Sequence, residues 1–174
     1  MPCLIIAGRE IDCRDSTGGV AEIYLTEFNN VPQANITSSS GTVSAATCSA
    51  GKRFFTYQLE KENASFEEKA AHSVENGTTM VDMTLSFTLK KMSAALKNNL
   101  LTLGYNRLHI IVKDKNGVYH WMGQTGGADM ITSDGATGKA MGDMNGYTLT
   151  FNAKEPIYSN TVSAAIVASL QIGS

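Results

Sequence analysis

The residues best suited to chemistry in this chain are its three histidines, His72, His109 and His120. They lack the short spacings that bring metal ligands together, and none lies beside a cysteine motif. His109 and His120 fall on the two strands of a predicted hairpin, where they could face each other. We interpret them as a surface or interface pair, so the histidines predict neither a metal site nor a catalytic base.

Cysteine chemistry is not indicated either. The cysteines are Cys3, Cys13 and Cys48. Because they are odd in number and widely spaced, they form neither a disulfide framework nor a CxxC metal-binding pair. We expect ordinary reduced thiols. An acidic cluster of Glu10, Asp12 and Asp15 could bind a cation, but a solvated loop facing a basic neighbour explains it better.

Two glycine-containing segments resemble binding loops only in part. Residues 135–139 resemble a phosphate-binding loop, but Ser133 replaces its first glycine and Ala140 replaces the hydroxyl residue that would hold magnesium. Residues 143–146 contain a fragment of a calcium loop without its further oxygen ligands, and turn chemistry explains them better. With no nucleophile and base at a defensible spacing, we predict that the chain is not an enzyme and has no cofactor.

Composition and charge restrict the fold and the class of function. The 174 residues suit a single domain, 1–174, that can bury a core without disulfides or metals. Charged residues (17%) and aromatic residues (7%) are few, while Gly, Ser, Thr and Asn are abundant, and this mixture favours strands and turns. The net charge of -2 argues against binding nucleic acid by phosphate neutralisation. A mildly acidic surface could still let DNA slide past.

No targeting or membrane segment is predicted. The apolar run at residues 3–7 is too short for the core of a signal peptide and follows no basic residue. We expect the chain to be made in a cytoplasm. No stretch approaches the roughly 20 apolar residues that span a bilayer, so we predict no membrane insertion.

The clearest strand runs from about residue 80 to residue 90. Its apolar positions are Val81, Met83, Leu85, Phe87 and Leu89. The alternate positions are Asp82, Thr84, Ser86, Thr88 and Lys90. One face therefore packs and the other stays wet, which indicates an antiparallel sheet, since parallel strands are covered on both faces and read as continuous apolar runs.

A helix over about 92–103 follows this strand. Met92, Leu96, Leu100 and Leu103 recur at helical spacing, and Gly104 stands where a left-handed residue would end the helix. We expect the helix to lie against the sheet. The chain is therefore predicted to be mainly β, an antiparallel sandwich or barrel with one flanking helix.

A hairpin is predicted after the helix. The segments 108–112 and 118–122 flank a turn that contains Asn116-Gly117, and both residues of this dipeptide tolerate the positive φ angles of a tight hairpin turn.

Alternation predicts further strands at 21–26, 55–60 and 147–151, with Pro156 ending the last. The glycine-rich segment 123–146 is either a flexible loop or short strands joined by turns.

Three segments are less regular. Residues 162–172 alternate and predict a last strand, although their alanines leave a helix as the alternative. The small-residue stretch 35–51 fits a weak strand paired to another element. The polar segment 60–78, in which Ser65 and Glu68 form a capping box, is either a short helix or a projecting arm.

These features are typical of an interaction protein. Edge strands expose unpaired amides, and the three irregular segments are candidates for completing the sheet of a neighbouring copy. Head-to-tail contacts of this kind close into rings, and rings with complementary faces stack into tubes.

The order of elements resembles the phage tail tube family. The resemblance rests on the strand 81–89, the helix through Leu103, the hairpin ending His120-Trp121-Met122-Gly123, and 142–151 with the following Glu155-Pro156. It mainly covers 79–158, and the opening 8–15 also looks like the starts of phage structural proteins. The resemblance implies long antiparallel strands curled into a barrel with one flanking helix, with the sheets of neighbouring subunits joined around a channel.

The resemblance also implies stacked, usually hexameric rings in the virion, contacts with other phage tail proteins, and an acidic passage for DNA without sequence-specific binding. The lumen-lining residues would then be Asp82, Thr84, Ser86 and Thr88.

Two alternatives stay open. A tail terminator, head-completion or capsid-decorating protein could share the fold. A carbohydrate-binding or adhesin-like module would need an exposed aromatic platform, for which Trp121, Tyr119 and Tyr147 are the candidates, although a place in the core suits them better.

Overall fold

The computed structural model describes residues 8–11 and 13–172. The strands are β1 Val20–Glu27, β2 Ile36–Ser39, β3 Thr42–Ala46, β4 Phe55–Gln58, β5 Ala64–Ser73, β6 Thr78–Lys90, β7 Leu108–Asp114, β8 Tyr119–Met122, β9 Asp129–Ala136, β10 Gly146–Glu155 and β11 Asn160–Val162. The helices are α1 Ala94–Tyr105 and α2 Ala164–Ile172, with 3-10 turns at Phe28–Asn30 and Gln33–Asn35. The protein is mainly β, as predicted.

The strands form two sheets that make a sandwich. The seven-stranded sheet has the order β2-β3-β11-β8-β7-β1-β4, and the four-stranded sheet has the order β5-β6-β10-β9. All pairings are antiparallel except that of β3 with β11. The predicted antiparallel architecture is therefore confirmed, in its sandwich form.

The larger core lies between the two sheets. Strand β6 contributes the alternate residues predicted for its apolar face, Val81, Met83, Leu85 and Phe87, each at most 1% exposed. The Phe87 ring lies parallel to that of Phe151 on β10, with 5.7 Å between centroids. Leu100 and Leu103 of α1 join this core, so the helix packs on the sheet as expected. Each buried side chain of this size contributes about 2 kcal/mol.

A second core lies on the opposite face of the seven-stranded sheet. Ile111 and Trp121 belong to it, and Val167 and Leu170 of α2 cover them. Strand β7 is therefore buried on both faces, which explains why Ile110, Ile111 and Val112 follow one another without a polar residue. The structure has two helices where one flanking helix was predicted.

Helix α1 confirms the predicted helix and corrects its ends. Ser93 is the N-cap, and its side chain accepts a hydrogen bond from a first-turn amide. The predicted end at Gly104 is wrong, because the helix includes this residue. Asn106 Nδ2 donates to the carbonyl of Thr102 at 2.9 Å, which satisfies a terminal carbonyl without a left-handed residue.

Strands β7 and β8 form the predicted hairpin. Gly117 has a φ of 84°, and the residues with positive φ do not include Asn116. Gly117 N donates to Asp114 O at 3.2 Å, and the Asp114 carboxylate accepts from Asn116 N at 2.9 Å and Val118 N at 2.8 Å. The turn thus needs one left-handed glycine rather than two positive φ angles.

The segment 60–78 contains strand β5, so of its two alternatives, a short helix or a projecting arm, the short helix is wrong. Strand β5 pairs with β6 along its whole length. Glu68 does not cap a helix, because its side chain is half-buried and its Oε1 accepts a hydrogen bond from Ser159 N at 2.8 Å. Because Glu68 places a carboxylate at an inward position, the alternation of apolar and polar residues in β5 is interrupted in the sequence.

The β5–β6 hairpin extends past the end of β10. Pairing of β6 with β10 stops at Val81, beyond which β5 and β6 pair only with each other in the described structure. We call residues 71–80 the hairpin tip; all of them are exposed except the half-buried Ser73. Val74 is 96% exposed there.

The strand predicted over 162–172 is wrong beyond its first residue. Strand β11 ends at Val162, and the alternative helix forms as α2. Ser163 Oγ accepts a hydrogen bond from Ile166 N at 3.4 Å at its start. The alanines favour a helix, and the residues that bury its inner face are three apart.

The remaining strand predictions are confirmed. Strands β1, β4 and β10 occupy the three alternating segments, and β10 ends immediately before Pro156. The small-residue stretch 35–51 holds β2 and β3, which pair with each other. Of the two readings of 123–146, the one with a strand is right, because β9 pairs with β10.

Candidate functional site

The three histidines do not form a site. His109 is fully buried, so its interpretation as part of a surface or interface pair is wrong. The hairpin register places Val112, not His109, opposite His120. His72 lies exposed on β5, where its Nδ1 is 3.1 Å from Thr79 Oγ1.

His109 serves a structural purpose. Its Nδ1 lies 3.0 Å from Gly123 O and its Nε2 lies 3.3 Å from Val31 O, so the ring lies between two loops, within hydrogen-bond distance of a carbonyl in each. The Phe28 ring stacks on it at 4.6 Å, and Trp121 meets it edge-on at 5.5 Å. Burial lowers the pKa of His109 to about 4, against the opposing effect of the backbone carbonyls. The imidazole is therefore neutral at pH 7 and out of reach of solvent.

The candidate aromatic platform does not exist as an exposed surface. Trp121 is fully buried and packs edge-on against Phe54, with 5.9 Å between centroids. Tyr119 packs against the same core, whereas Tyr147 packs against the core between the sheets. Trp121 and Tyr119 therefore lie on one side of the seven-stranded sheet, and Tyr147 lies on the other.

The cysteines occupy unrelated environments. Cys48 is buried, and burial raises the pKa of its thiol, which disfavours the reactive thiolate. Cys13 is exposed, and Cys3 lies outside the described residues.

Among the described residues, neither the acidic cluster nor the partial binding loops form a cation site. Glu10 and Asp15 are exposed, and Asp12 lies outside the described residues. The Asp143 carboxylate accepts hydrogen bonds from two backbone amides at 2.7 and 2.8 Å, as a turn residue does. Within 8–11 and 13–172, no three His, Cys, Asp or Glu side chains are grouped closely enough to hold a metal ion.

The segment 135–139 is not a strand-to-helix phosphate loop. Its first two residues end β9, and the chain then turns into β10 with no helix between them. The geometry for cradling phosphate at a helix N-terminus is therefore missing at this segment.

The feature that stands out is the uncovered face of the four-stranded sheet, which we call the open face. Its side chains lie opposite the buried alternate residues of each strand. They are Ser65, Glu67 and Lys69 of β5, Asp82, Thr84, Ser86, Thr88 and Lys90 of β6, Thr148, Thr150, Asn152 and Lys154 of β10, and Asp129, Thr132 and Asp134 of β9. The four residues predicted to line a lumen thus lie in the β6 row of this face.

The open face is polar, ordered and mildly acidic. Lys69 and Lys154 lie directly opposite Asp82 on the two neighbouring strands. Asn152 Nδ2 donates to Asp82 Oδ1 and lies 3.4 Å from Thr84 Oγ1, which ties β10 to β6. Four carboxylates and three ammonium groups are present, and the remaining side chains are mostly hydroxyls.

The open face ends on both sides in a strand without an outer partner. Strands β5 and β9 are the first and last of the four-stranded sheet, so each has one neighbour in the described structure. They are 10 and 8 residues long and contain no proline. Such long, unpaired edges are templates for pairing with another chain.

Exposed apolar side chains lie beside the β9 edge; we call this surface the β9 side. Leu101 (55% exposed) and Tyr105 (83%) lie on α1, and Ile131 (59%) lies on β9. A groove of about 390 Å³ separates the helix from the strand, and Met130 contributes to its wall.

A second apolar pair lies beside the opposite edge, on what we call the β5 side. Ile157 and Tyr158 are 45% and 56% exposed. The next residue, Ser159, is held to β5 by the hydrogen bond between its backbone N and Glu68. Each free edge therefore has apolar surface next to it.

Sequence reasoning identified the β6 row but missed the two sides. The outward alternation of β5 (Ser65, Glu67, Lys69) was visible in the sequence, but Glu68 interrupted the apolar positions. In β9 only Met130 reaches the core, and a register shift follows it, so this strand carries little alternation.

No helix in the described part of the chain is long and apolar enough to cross a membrane. The chain matches no protein-family model, no curated protein and no solved structure.

Proposed function

We propose that this chain is a non-enzymatic structural protein that assembles side by side with its own copies into rings. Stacked rings would form the tube of a phage-type tail, with the open face lining the passage for DNA. The observation that carries the proposal is the pair of free edges, β5 and β9, which bound one polar face.

The two sides suit a head-to-tail contact. Pairing of β9 with β5 of the next copy satisfies the unpaired amides of both strands and continues the sheet from one subunit to the next. Leu101 and Tyr105 on one side would meet the neighbourhood of Ile157 and Tyr158 on the other, so apolar surface is buried together with the edges. Because the two sides differ, the contact is heterologous, and it closes a ring when the rotation permits.

The polar face suits the wall of a channel for DNA. Its hydroxyls and excess of carboxylates over ammonium groups offer no cluster of cations for phosphates. DNA would therefore move past it without tight binding. Three further features of the proposal rest on the family resemblance alone. They are the number of subunits in a ring, the location in a virion and the contacts with other tail proteins.

The assembly surface is tested by Leu101→Lys. Leu101 is exposed in the single chain, so the substitution should change stability by less than about 0.5 kcal/mol. It places a charge in the proposed contact, where burial without a partner is costly. We expect the unaltered chain to form rings or tubes of constant diameter with concentration, seen by light scattering and negative-stain microscopy, and the variant to stay a monomer.

Val118→Lys is the matched control, since Val118 is also exposed (39%) but is not among the apolar residues of either side. This variant should assemble normally. An unaltered chain that stays a monomer at high concentration, or a Leu101→Lys variant that assembles as well as Val118→Lys, would remove this proposal.

A further inference from the structure

We propose that Asn76, in the hairpin tip, is a site of spontaneous deamidation, and that the fold protects the other two Asn-Gly sequences of the chain. The three sequences are Asn76-Gly77, Asn116-Gly117 and Asn145-Gly146. The proposal does not depend on the proposed function.

The chemistry is intramolecular. The backbone N of the glycine attacks Cγ of the asparagine, the N–Cγ bond forms, the Cγ–Nδ2 bond breaks, and Nδ2 leaves as ammonia with the amide proton. Water then opens the resulting succinimide at either carbonyl, giving aspartate or isoaspartate. The reaction needs a free asparagine side chain and an unengaged glycine N, and glycine offers no side chain to obstruct the ring closure.

Both groups are engaged at Asn116-Gly117. Asn116 Nδ2 donates to Thr17 O at 2.9 Å, and its Oδ1 accepts from Thr17 N at 2.8 Å. Gly117 N donates to Asp114 O at 3.2 Å. Ring closure here must first break these hydrogen bonds.

Asn145-Gly146 is held differently. Asn145 Oδ1 accepts from Met92 N at 3.3 Å, and its backbone O accepts from Lys91 N at 2.7 Å. Gly146 is buried at the start of β10, so close to its neighbour strand that a Cβ would lie 2.4 Å from Leu89 O. Because of this tight packing, the dipeptide can close into a ring only after this part of the sheet has opened locally.

Asn76-Gly77 has none of these restraints. Both residues are exposed, and a Cβ on Gly77 would meet nothing within 4 Å. Among the described residues, neither the Asn76 side chain nor Gly77 N makes a hydrogen bond; only the Asn76 backbone N is held, by Ser73 Oγ at 3.3 Å. Deamidation would add a carboxylate beside Glu75, and isoaspartate would also lengthen the turn backbone by one atom.

The test is peptide mapping by mass spectrometry of the unassembled full chain during incubation at mildly alkaline pH. Product at Asn76 should form at least about tenfold faster than at Asn116 or Asn145, because each of those must open locally first. In concentrated urea, where the fold no longer protects them, all three rates should converge. A folded-state rate at Asn116 or Asn145 that is comparable to the rate at Asn76 would overturn the proposal.

Asn76→Gln provides the second measurement, since glutamine keeps the amide but closes a larger and less favoured ring. The variant should lose the early product and leave the slow products at Asn116 and Asn145 unchanged. Early product that persists in this variant would place the site elsewhere.

Discussion

His109 has more partners than a neutral imidazole can satisfy. With the proton on Nε2, the ring donates to Val31 O and accepts from Trp121 Nε1, 3.3 Å from Nδ1, but the Gly123 carbonyl then faces a lone pair. With the proton on Nδ1, Gly123 O is satisfied instead, and Trp121 loses this acceptor. Each tautomer ties one loop to β7, and only the cation could donate to both carbonyls.

Burial opposes that cation, so His109 should make the fold acid-sensitive. The folded-state pKa is about 4, below the ordinary value of 6.5. Above pH 6.5 His109 is neutral in both the folded and the unfolded chain, and its contribution to the stability is fully present. As the pH falls from about 6.5 to 4, His109 binds a proton in the unfolded chain but not in the folded chain, and the free energy of unfolding falls by about 3 kcal/mol. Urea unfolding at a series of pH values measures this loss.

Substitution isolates this contribution from that of the carboxylates. His109→Gln should be less stable at pH 7 because a buried ring is lost, yet its stability should fall less steeply between pH 6.5 and 4. Equal slopes for His109→Gln and the unaltered chain would contradict the assignment.

At the scale of elements, local alternation was sufficient to predict a strand where one of its faces is buried and the other is exposed to solvent. Strand β6 follows this pattern without exception, and α1 follows the helical one. Prediction failed for β5 because its inward Glu68 is satisfied by Ser159, which is distant in the chain. It failed for α2 because alternating Val, Ala and Ile fit a strand as well as a helix, and packing on Trp121 and its neighbours decides.

Substitutions on the two faces of β6 should differ sharply in their effect on the free energy of unfolding, even at adjacent residues. Phe87→Ala removes a ring that is 1% exposed and stacked on Phe151, so it should destabilise the fold by about 3–5 kcal/mol. Ser86→Ala lies on the open face and should change stability by less than about 0.5 kcal/mol. Urea midpoints compare the two; similar losses would mean that the assigned register of β6 is wrong.

At the scale of the whole molecule, the sequence indicated the polar row on β6 but not the surfaces that border it. The β9 side brings Leu101 of α1 to the same groove as Met130, and the β5 side brings Ser159, the residue after Tyr158, to Glu68, across long stretches of chain. No local period links such residues, so only the folded topology shows that both free edges have apolar neighbours. The asymmetry of the two sides is likewise a property of the complete sandwich.

This asymmetry makes a mixing experiment decisive between head-to-tail and self-complementary contacts. Leu101→Lys damages the β9 side and leaves the β5 side intact, whereas Tyr158→Lys, at a residue 56% exposed, does the reverse. In a heterologous contact each variant alone has no usable pair of sides and should remain monomeric. A mixture contains one intact β9 side and one intact β5 side, so it should form dimers with one copy of each variant and should not grow further. Size-exclusion chromatography with light scattering and a mass label on one variant measures this. Dimers formed by either variant alone would instead indicate a self-complementary contact, and rings formed by the mixture would show that these residues lie outside the interface.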